Sequence, residues 1–198
     1  MVTGVILAGG ENRRMGGNMK SFLRFGGETI VERQLRIMKD VCDEVIIVTN
    51  RQERFSDFGV QVVSDNFPGK GPLAGIEAAF TSAAHEILWI AGCDMPYVSR
   101  DAAQILLDSC EKGHHDAAIP VIDGVIHPLF GVYHRRKAAV LKDLLQRDTL
   151  KVRAFLDEID THYVDGKVFC LHEVDPRFVT NVNTPDEYAV LSGEGERS

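Results

Sequence analysis

Short apolar runs with no polar alternation, separated by segments of helical period, are the feature that most narrows the folds open to this chain. Val5-Ile6-Leu7-Ala8 stops at Gly9-Gly10, Glu44–Thr49 carries Val45-Ile46-Ile47-Val48, and Ile87–Ala91 stops at Gly92. Each predicts a strand covered on both faces, the situation of strands inside a parallel sheet. Between them, Val31, Leu35, Met38 and Cys42 form one stripe over Thr29–Cys42, and Pro72–Ala84 predicts a helix with proline in its first turn. A helix over Arg100–Lys112 gathers Ala103, Leu106 and Cys110, and one over Arg135–Gln146 gathers Ala138, Leu141 and Leu145. Gln61–Ser64 predicts a shorter strand, and Ala117–Val121 and Val125–Tyr133 flank Asp123-Gly124, a hairpin signal. Beyond Lys151 the elements shorten, and Pro185 opens a last helix. This alternation predicts an α/β fold: a single-domain three-layer α/β/α sandwich with a mostly parallel central sheet. The domain covers residues 1–192, followed by a polar tail over 193–198, without repeat or linker.

A chain of 198 residues buries roughly 70% of the surface that its unfolded form exposes, so it needs no disulfide or metal to fold. Hydrophobic residues at 44% and charged residues at 26% exclude disordered and fibrous classes. A formal charge of −7 argues against a general nucleic-acid or anionic-membrane binder, yet leaves room for a local basic pocket. No apolar run approaches the ~20 residues that cross a bilayer. Met1-Val2-Thr3-Gly4 lacks the basic and apolar regions of a signal peptide, which predicts a cytoplasmic protein. Cys42, Cys93, Cys110 and Cys170 form no paired motif and read as small buried hydrophobes in a reducing compartment.

Seven of the 18 glycines fall within the first 27 residues. Most belong to Leu7-Ala8-Gly9-Gly10-Glu11-Asn12-Arg13-Arg14-Met15-Gly16-Gly17-Asn18-Met19-Lys20, which follows the first strand. Glycines let backbone N–H groups turn toward an anion, and Arg13, Arg14 and Lys20 supply the charge that a triphosphate requires. Two familiar phosphate loops fail on spacing. The P-loop needs Gly-Lys-Ser/Thr contiguous, but Asn18-Met19 separates Gly17 from Lys20-Ser21, and the dinucleotide fingerprint has no adjacent glycines.

Asp94 lies where a buried strand ends, the edge at which open α/β sheets bind ligands. A carboxylate there can hold Mg²⁺ together with substrate phosphates, or serve as a turn aspartate. Asp65 begins a loop that leads into a helix start, with Gly71 and Gly75 permitting close approach. Lys70 in that loop reads as a solvated charge, and His127 as a structural hydrogen-bonder. His114-His115 makes no metal site with its neighbours in sequence. Asn181 and Asn183 bracket one strand-like step, so both side chains can point the same way, or they cap the last helix.

The loop resembles the signature of the molybdenum cofactor guanylyltransferases, among the nucleotidyltransferases with a glycosyltransferase-A-like (nucleotide-diphospho-sugar-transferase-like) fold. Their pattern is Leu-Ala-Gly-Gly, three variable positions, Arg-Met-Gly-Gly, one variable position, then Asp-Lys. This chain matches with Leu7-Ala8-Gly9-Gly10, Arg14-Met15-Gly16-Gly17 and Lys20, and departs at Met19, where the family usually has aspartate. The resemblance continues through Asp65…Gly71-Pro72-Leu73-Ala74-Gly75, Gly92-Cys93-Asp94-Met95-Pro96, His127-Pro128-Leu129-Phe130 and Asn181-Val182-Asn183-Thr184-Pro185.

It implies transfer of GMP from Mg²⁺-bound GTP to the phosphate of molybdenum-molybdopterin, with release of pyrophosphate. Arg14, Lys20 and Asp94 would be the catalytic residues, with Asp94 also the metal ligand. Leu7, Ala8, Gly9, Gly10, Lys20, Asn50, Asp65, Gly71, Gly75 and Asp94 would bind nucleotide, and Asn181 and Asn183 the pterin substrate. Guanine is implied over cytosine because cytidylyl relatives more often carry Ala-Gly where this chain has Gly9-Gly10. The resemblance further implies transient contacts with cofactor-biosynthesis or molybdoenzyme chaperone proteins. Rival readings are a molybdopterin cytidylyl- or sugar-phosphate nucleotidyltransferase, and a non-catalytic nucleotide-binding paralogue, which Met19 favours. If the enzyme is active, aspartate at position 19 would be expected to raise turnover.

Overall fold

A computed structural model describes residues 1–9, 19–184 and 187–188. The chain opens with β1 (Val2–Leu7) and continues through a small ribbon of β2 (Arg24–Phe25) and β3 (Glu28–Thr29) into α1 (Ile30–Lys39). Thr29 starts α1 in a capping box: its hydroxyl accepts from the Glu32 N–H, while the Glu32 carboxylate accepts from the Thr29 N–H. There follow β4 (Glu44–Val48), β5 (Gln61–Val63), α2 (Gly71–Ser82), β6 (Ile87–Gly92) and α3 (Arg100–Lys112). The second half contributes β7 (Ala117–Ile122), β8 (Val125–Ile126), β9 (Phe130–His134), α4 (Ala138–Gln146), α5 (Val152–Asp157), β10 (Thr161–Asp165) and α6 (Gly166–Leu171).

The strands form one sheet in the order β10-β7-β9-β6-β1-β4-β5, with β8 paired to β7. β1 lies at its heart, parallel to β4 and β6, so Val5 faces Ile46 on one side and Ile90 on the other. β5 and β10 are also parallel to their neighbours, whereas β9 runs antiparallel to both β6 and β7. Side chains alternate faces along a strand, and two cores result. Ile6, Val45, Ile47, Trp89 and Ala91 pack under α1 and α3; Val5, Leu7, Ile46, Val48, Leu88 and Ile90 pack under α2, α4 and α5. This is the expected three-layer sandwich, and no helix among the described residues is long and apolar enough to cross a membrane.

The expected hairpin forms, but its second arm is interrupted. Asp123 and Gly124 take φ of 49° and 77°, the left-handed pair that a tight two-residue hairpin turn requires. Val121 then pairs with Ile126. His127-Pro128-Leu129 breaks the run before β9, where Pro128 has no N–H to donate to a ladder. The final parallel strand, β10, goes unnoticed in the sequence because Thr-His-Tyr-Val-Asp buries only Val164. Cys170 corrects the cysteine reading: it is exposed, while Cys110 is buried and Cys42 and Cys93 are half-buried. Of the last helix expected from Pro185 only residues 187–188 are described, and they are helical; Pro185 itself and the tail over 193–198 lie outside the described residues.

Candidate active site

The parallel strands β5, β4, β1 and β6 all end at one edge, and the sequence-predicted groups follow those ends: Asp65 after β5, Asn50 after β4, Ala8 and Gly9 after β1, Asp94 after β6. Leu7 and Ala8 are buried, so their side chains belong to the core and backbone alone is available for a ligand. Gly9 is exposed with open space around its Cα, whereas Gly10 and Arg14 lie outside the described residues.

Lys20 opens a 3₁₀ turn over Lys20–Phe22. Phe22 fastens that turn by packing its ring, tilted by 37°, on Phe55, ring centroids 5.1 Å apart. The Lys20 ammonium donates to Asp94 Oδ2 at 3.1 Å and to Asn183 Oδ1 at 2.7 Å. Residues from three separate motifs therefore meet at one cation, with the Lys20 and Asp94 side chains only 18% and 20% exposed. The Asp94 turn is held from several sides: Gly92 N–H donates to Leu129 O, Cys93 N–H to Leu7 O, and Val182 N–H to Asp94 O. The last of these brings the Asn183 segment against Asp94. Burial pushes the Cys93 thiol up to about 12, and the neighbouring Asp94 charge adds to this. Cys93 packs against the core beneath α1 and α3.

Asn50 and Asp65 form a second, reciprocal unit. Asn50 Nδ2 donates to Asp65 Oδ2 at 2.9 Å, and Asp65 N–H donates to Asn50 Oδ1 at 3.1 Å. Phe67 N–H donates to Asp65 Oδ1, which sets the carboxylate's orientation. Gly71 has φ of +68° at the start of α2, a conformation that favours glycine. A Cβ on Gly75 would come 3.2 Å from Leu7 Cδ2, so the packing of α2 on β1 gives this glycine a reason of its own. Lys70 donates to the Leu145 carbonyl and pairs with Asp148, tying the loop to α4. Asn181 is exposed, and among the described residues no hydrogen bond joins it to Lys20, Asp94 or Asn183.

Two supporting residues escape the sequence reading. Glu77, buried inside α2, accepts from Asn66 Nδ2 and so anchors the loop that carries Asp65. Glu187 accepts from the N–H groups of Asn183 and Thr184, while Thr184 Oγ1 accepts from Glu187 N–H. The Thr-x-x-Glu spacing of Thr184 and Glu187 is a capping-box signal that reveals the second of them.

Met19 is 4% exposed and belongs to the core beneath α1. The expected gain in turnover from aspartate assumes a side chain beside Lys20, and the structure places this one in apolar surroundings. A carboxylate there would be desolvated, at roughly 2–3 kcal/mol. Met19→Asp is therefore expected to lower Tm by about 5–10 °C, as read by thermal unfolding. An unchanged Tm would mean that the side chain escapes to the site.

A divalent cation fits the chemistry of this cluster. Asp94 and Asn183 present hard oxygens, the donor type that Mg²⁺ selects, and both already hold one cation, the Lys20 ammonium. Among the described residues no three His, Cys, Asp or Glu side chains gather into a metal cage.

The family model described as MobA-like NTP transferase domain matches residues 4–163. A molybdenum cofactor guanylyltransferase from Desulfosudis oleivorans is 34% identical over 188 residues, covering 94% of this chain and 92% of that protein. A probable molybdenum cofactor guanylyltransferase from Pelotomaculum thermopropionicum is 35% identical over 186 residues, covering 93% and 89%. The crystal structure of molybdopterin-guanine dinucleotide biosynthesis protein A from Archaeoglobus fulgidus superposes with a TM-score of 0.85, at 22% identity, covering 99% of this chain and all of that one.

Proposed function

The chain belongs to the family of MobA-like NTP transferase domains, and from that premise we propose that it transfers GMP from GTP to the terminal phosphate of molybdenum-molybdopterin, releasing pyrophosphate. It is a nucleotidyltransferase of the molybdenum cofactor guanylyltransferase kind. The observation that carries the reaction is the meeting of Lys20, Asp94 and Asn183 at the ligand edge of the sheet. Divalent-metal use is consistent with this family, and the hard oxygen set supports Mg²⁺ on Asp94.

The acceptor phosphate is already an anionic nucleophile, so proton abstraction is not required of the protein. What remains is alignment and neutralisation of charge. An ammonium has three N–H donors, and two are engaged by Asp94 and Asn183, which leaves Lys20 a third for a phosphate oxygen as pyrophosphate departs. Among the described residues Asn183 engages only its Oδ1 and its backbone N–H, which leaves the Nδ2 amide donors for the acceptor's phosphate. Mg²⁺, when bound, would supply Lewis-acid polarisation of the phosphates from Asp94. The Asn50–Asp65 unit presents an oriented carboxylate and amide to the nucleoside end, 15 residues apart in sequence. Gly9, Gly10 and Arg14 complete the phosphate contacts in this reading, and the reaction takes place in the cytoplasm.

GTP is expected to bind at least about tenfold more tightly than CTP or ATP, a difference of ~1.4 kcal/mol. Calorimetry with the three nucleotides checks this, and equal affinities would overturn the guanine assignment.

A further inference from the structure

A fully buried side chain on α1 touches the Asp94 turn and has no place in the mechanism above. Gln34 has no exposed surface and sits among Val31, Leu35 and Met38. Its Nε2 donates twice, to the Gly92 carbonyl at 2.8 Å and to the Met95 carbonyl at 2.9 Å. Those two carbonyls flank Cys93-Asp94, so one amide grips both ends of the segment that projects the Asp94 carboxylate. Gly92 O also accepts from Met95 N–H, which closes the turn under the amide. The other hydrogen bonds on this turn's backbone, among the described residues, join backbone to backbone.

The amide is held at a cost. A primary amide has two donors and one acceptor oxygen, and both donors are spent on the turn. The Gln34 Oε1 is buried with no hydrogen-bond partner. Methionine or leucine at this position would avoid that unsatisfied oxygen, and its neighbours on the helix face are of those types. Packing alone does not explain a glutamine here; grip on the turn does.

We infer that Gln34 is the positioning residue for Asp94, fixing the carboxylate for the divalent cation while touching neither nucleotide, acceptor nor metal. The inference rests on the reading of Asp94 as metal ligand. Mg²⁺ demands near-ideal octahedral geometry, so a carboxylate on a loosened turn ligates poorly. Residues that orient a ligand from behind typically change metal affinity 10–100-fold when replaced.

The test uses the full chain with GTP and no acceptor, and reads Mn²⁺ binding by electron paramagnetic resonance, GTP binding in EDTA by calorimetry, and Tm. Gln34→Met, similar in length but without donors, is expected to weaken Mn²⁺ binding about tenfold while metal-free GTP binding stays within twofold. Gln34→His, which keeps one N–H for one carbonyl, is expected to fall between, and decides the matter if the methionine variant does not fold. Asp94→Asn is measured beside them. Weakened Mn²⁺ binding in Asp94→Asn with parental binding in the Gln34 variants, whatever their Tm, overturns the role of Gln34 and leaves the metal assignment standing. Parental Mn²⁺ binding in Asp94→Asn removes the metal from Asp94, and the inference falls with it.

Discussion

Asp94→Ala is expected to lower turnover by on the order of 10²-fold or more while the protein stays folded. Among the described residues Asp94 is the charge that Lys20 meets, and its oxygens suit a divalent cation. In the proposed reaction its removal would strip charge control from the point where pyrophosphate leaves. Stability is affected little, because the side chain is one-fifth exposed and its turn is secured by backbone bonds to Leu7, Leu129 and Val182. Steady-state kinetics at saturating GTP and Mg²⁺, with circular dichroism on the same sample, separates the two effects. Turnover close to the parent's would remove Asp94 from the site.

Lys20→Met is the second large effect, and its signature differs. The ammonium holds Asp94 and Asn183 in one cluster, and in the proposed reaction it is the cation that meets the phosphates. Losing it should reduce kcat/KM on the order of 10²- to 10³-fold, as does losing a preorganised donor at a site of developing charge. Unlike the Asp94 variant, this one should also bind GTP more weakly in EDTA, because in the proposed role Lys20 meets the phosphates without help from a metal. Lys20→Arg should recover only part of the loss, since a planar guanidinium cannot reproduce the compact ammonium between two close oxygens. A kcat/KM within threefold of the parent in Lys20→Met would contradict the role.

The frame of the fold was readable because the strands that build its centre are apolar on both faces. Val45-Ile46-Ile47-Val48 has only one reasonable place, the inside of a parallel sheet, and Arg100–Lys112 is observed with the bounds that its stripe predicts. β10 and the β2–β3 ribbon were not readable. β10 is an edge strand that buries one residue, and the ribbon has two residues in each arm, so neither leaves a period to detect. Within the site, carboxylates at strand ends could be anticipated from chain order alone. Partnerships could not: that Asn50 belongs with Asp65, or Lys20 with Asn183, depends on which strands lie side by side. Gln34 was the least accessible, since a lone polar residue in an apolar helix stripe looks like an imperfection until its two carbonyl partners, 58 and 61 residues away, are seen.

The hydrogen bond from Lys20 to Asn183 spans 163 residues, and this has a meaning for how the protein folds. Among the described residues, every strand of the sheet lies at or before Asp165. Pairing of the strands therefore does not depend on the Asn183 segment. A fold that lacks that one contact has its strand-end aspartates in place but not the oxygen that holds Lys20 against Asp94. Architecture and competence for chemistry are thus separable, and the seating of a single segment divides a folded body from a working catalyst.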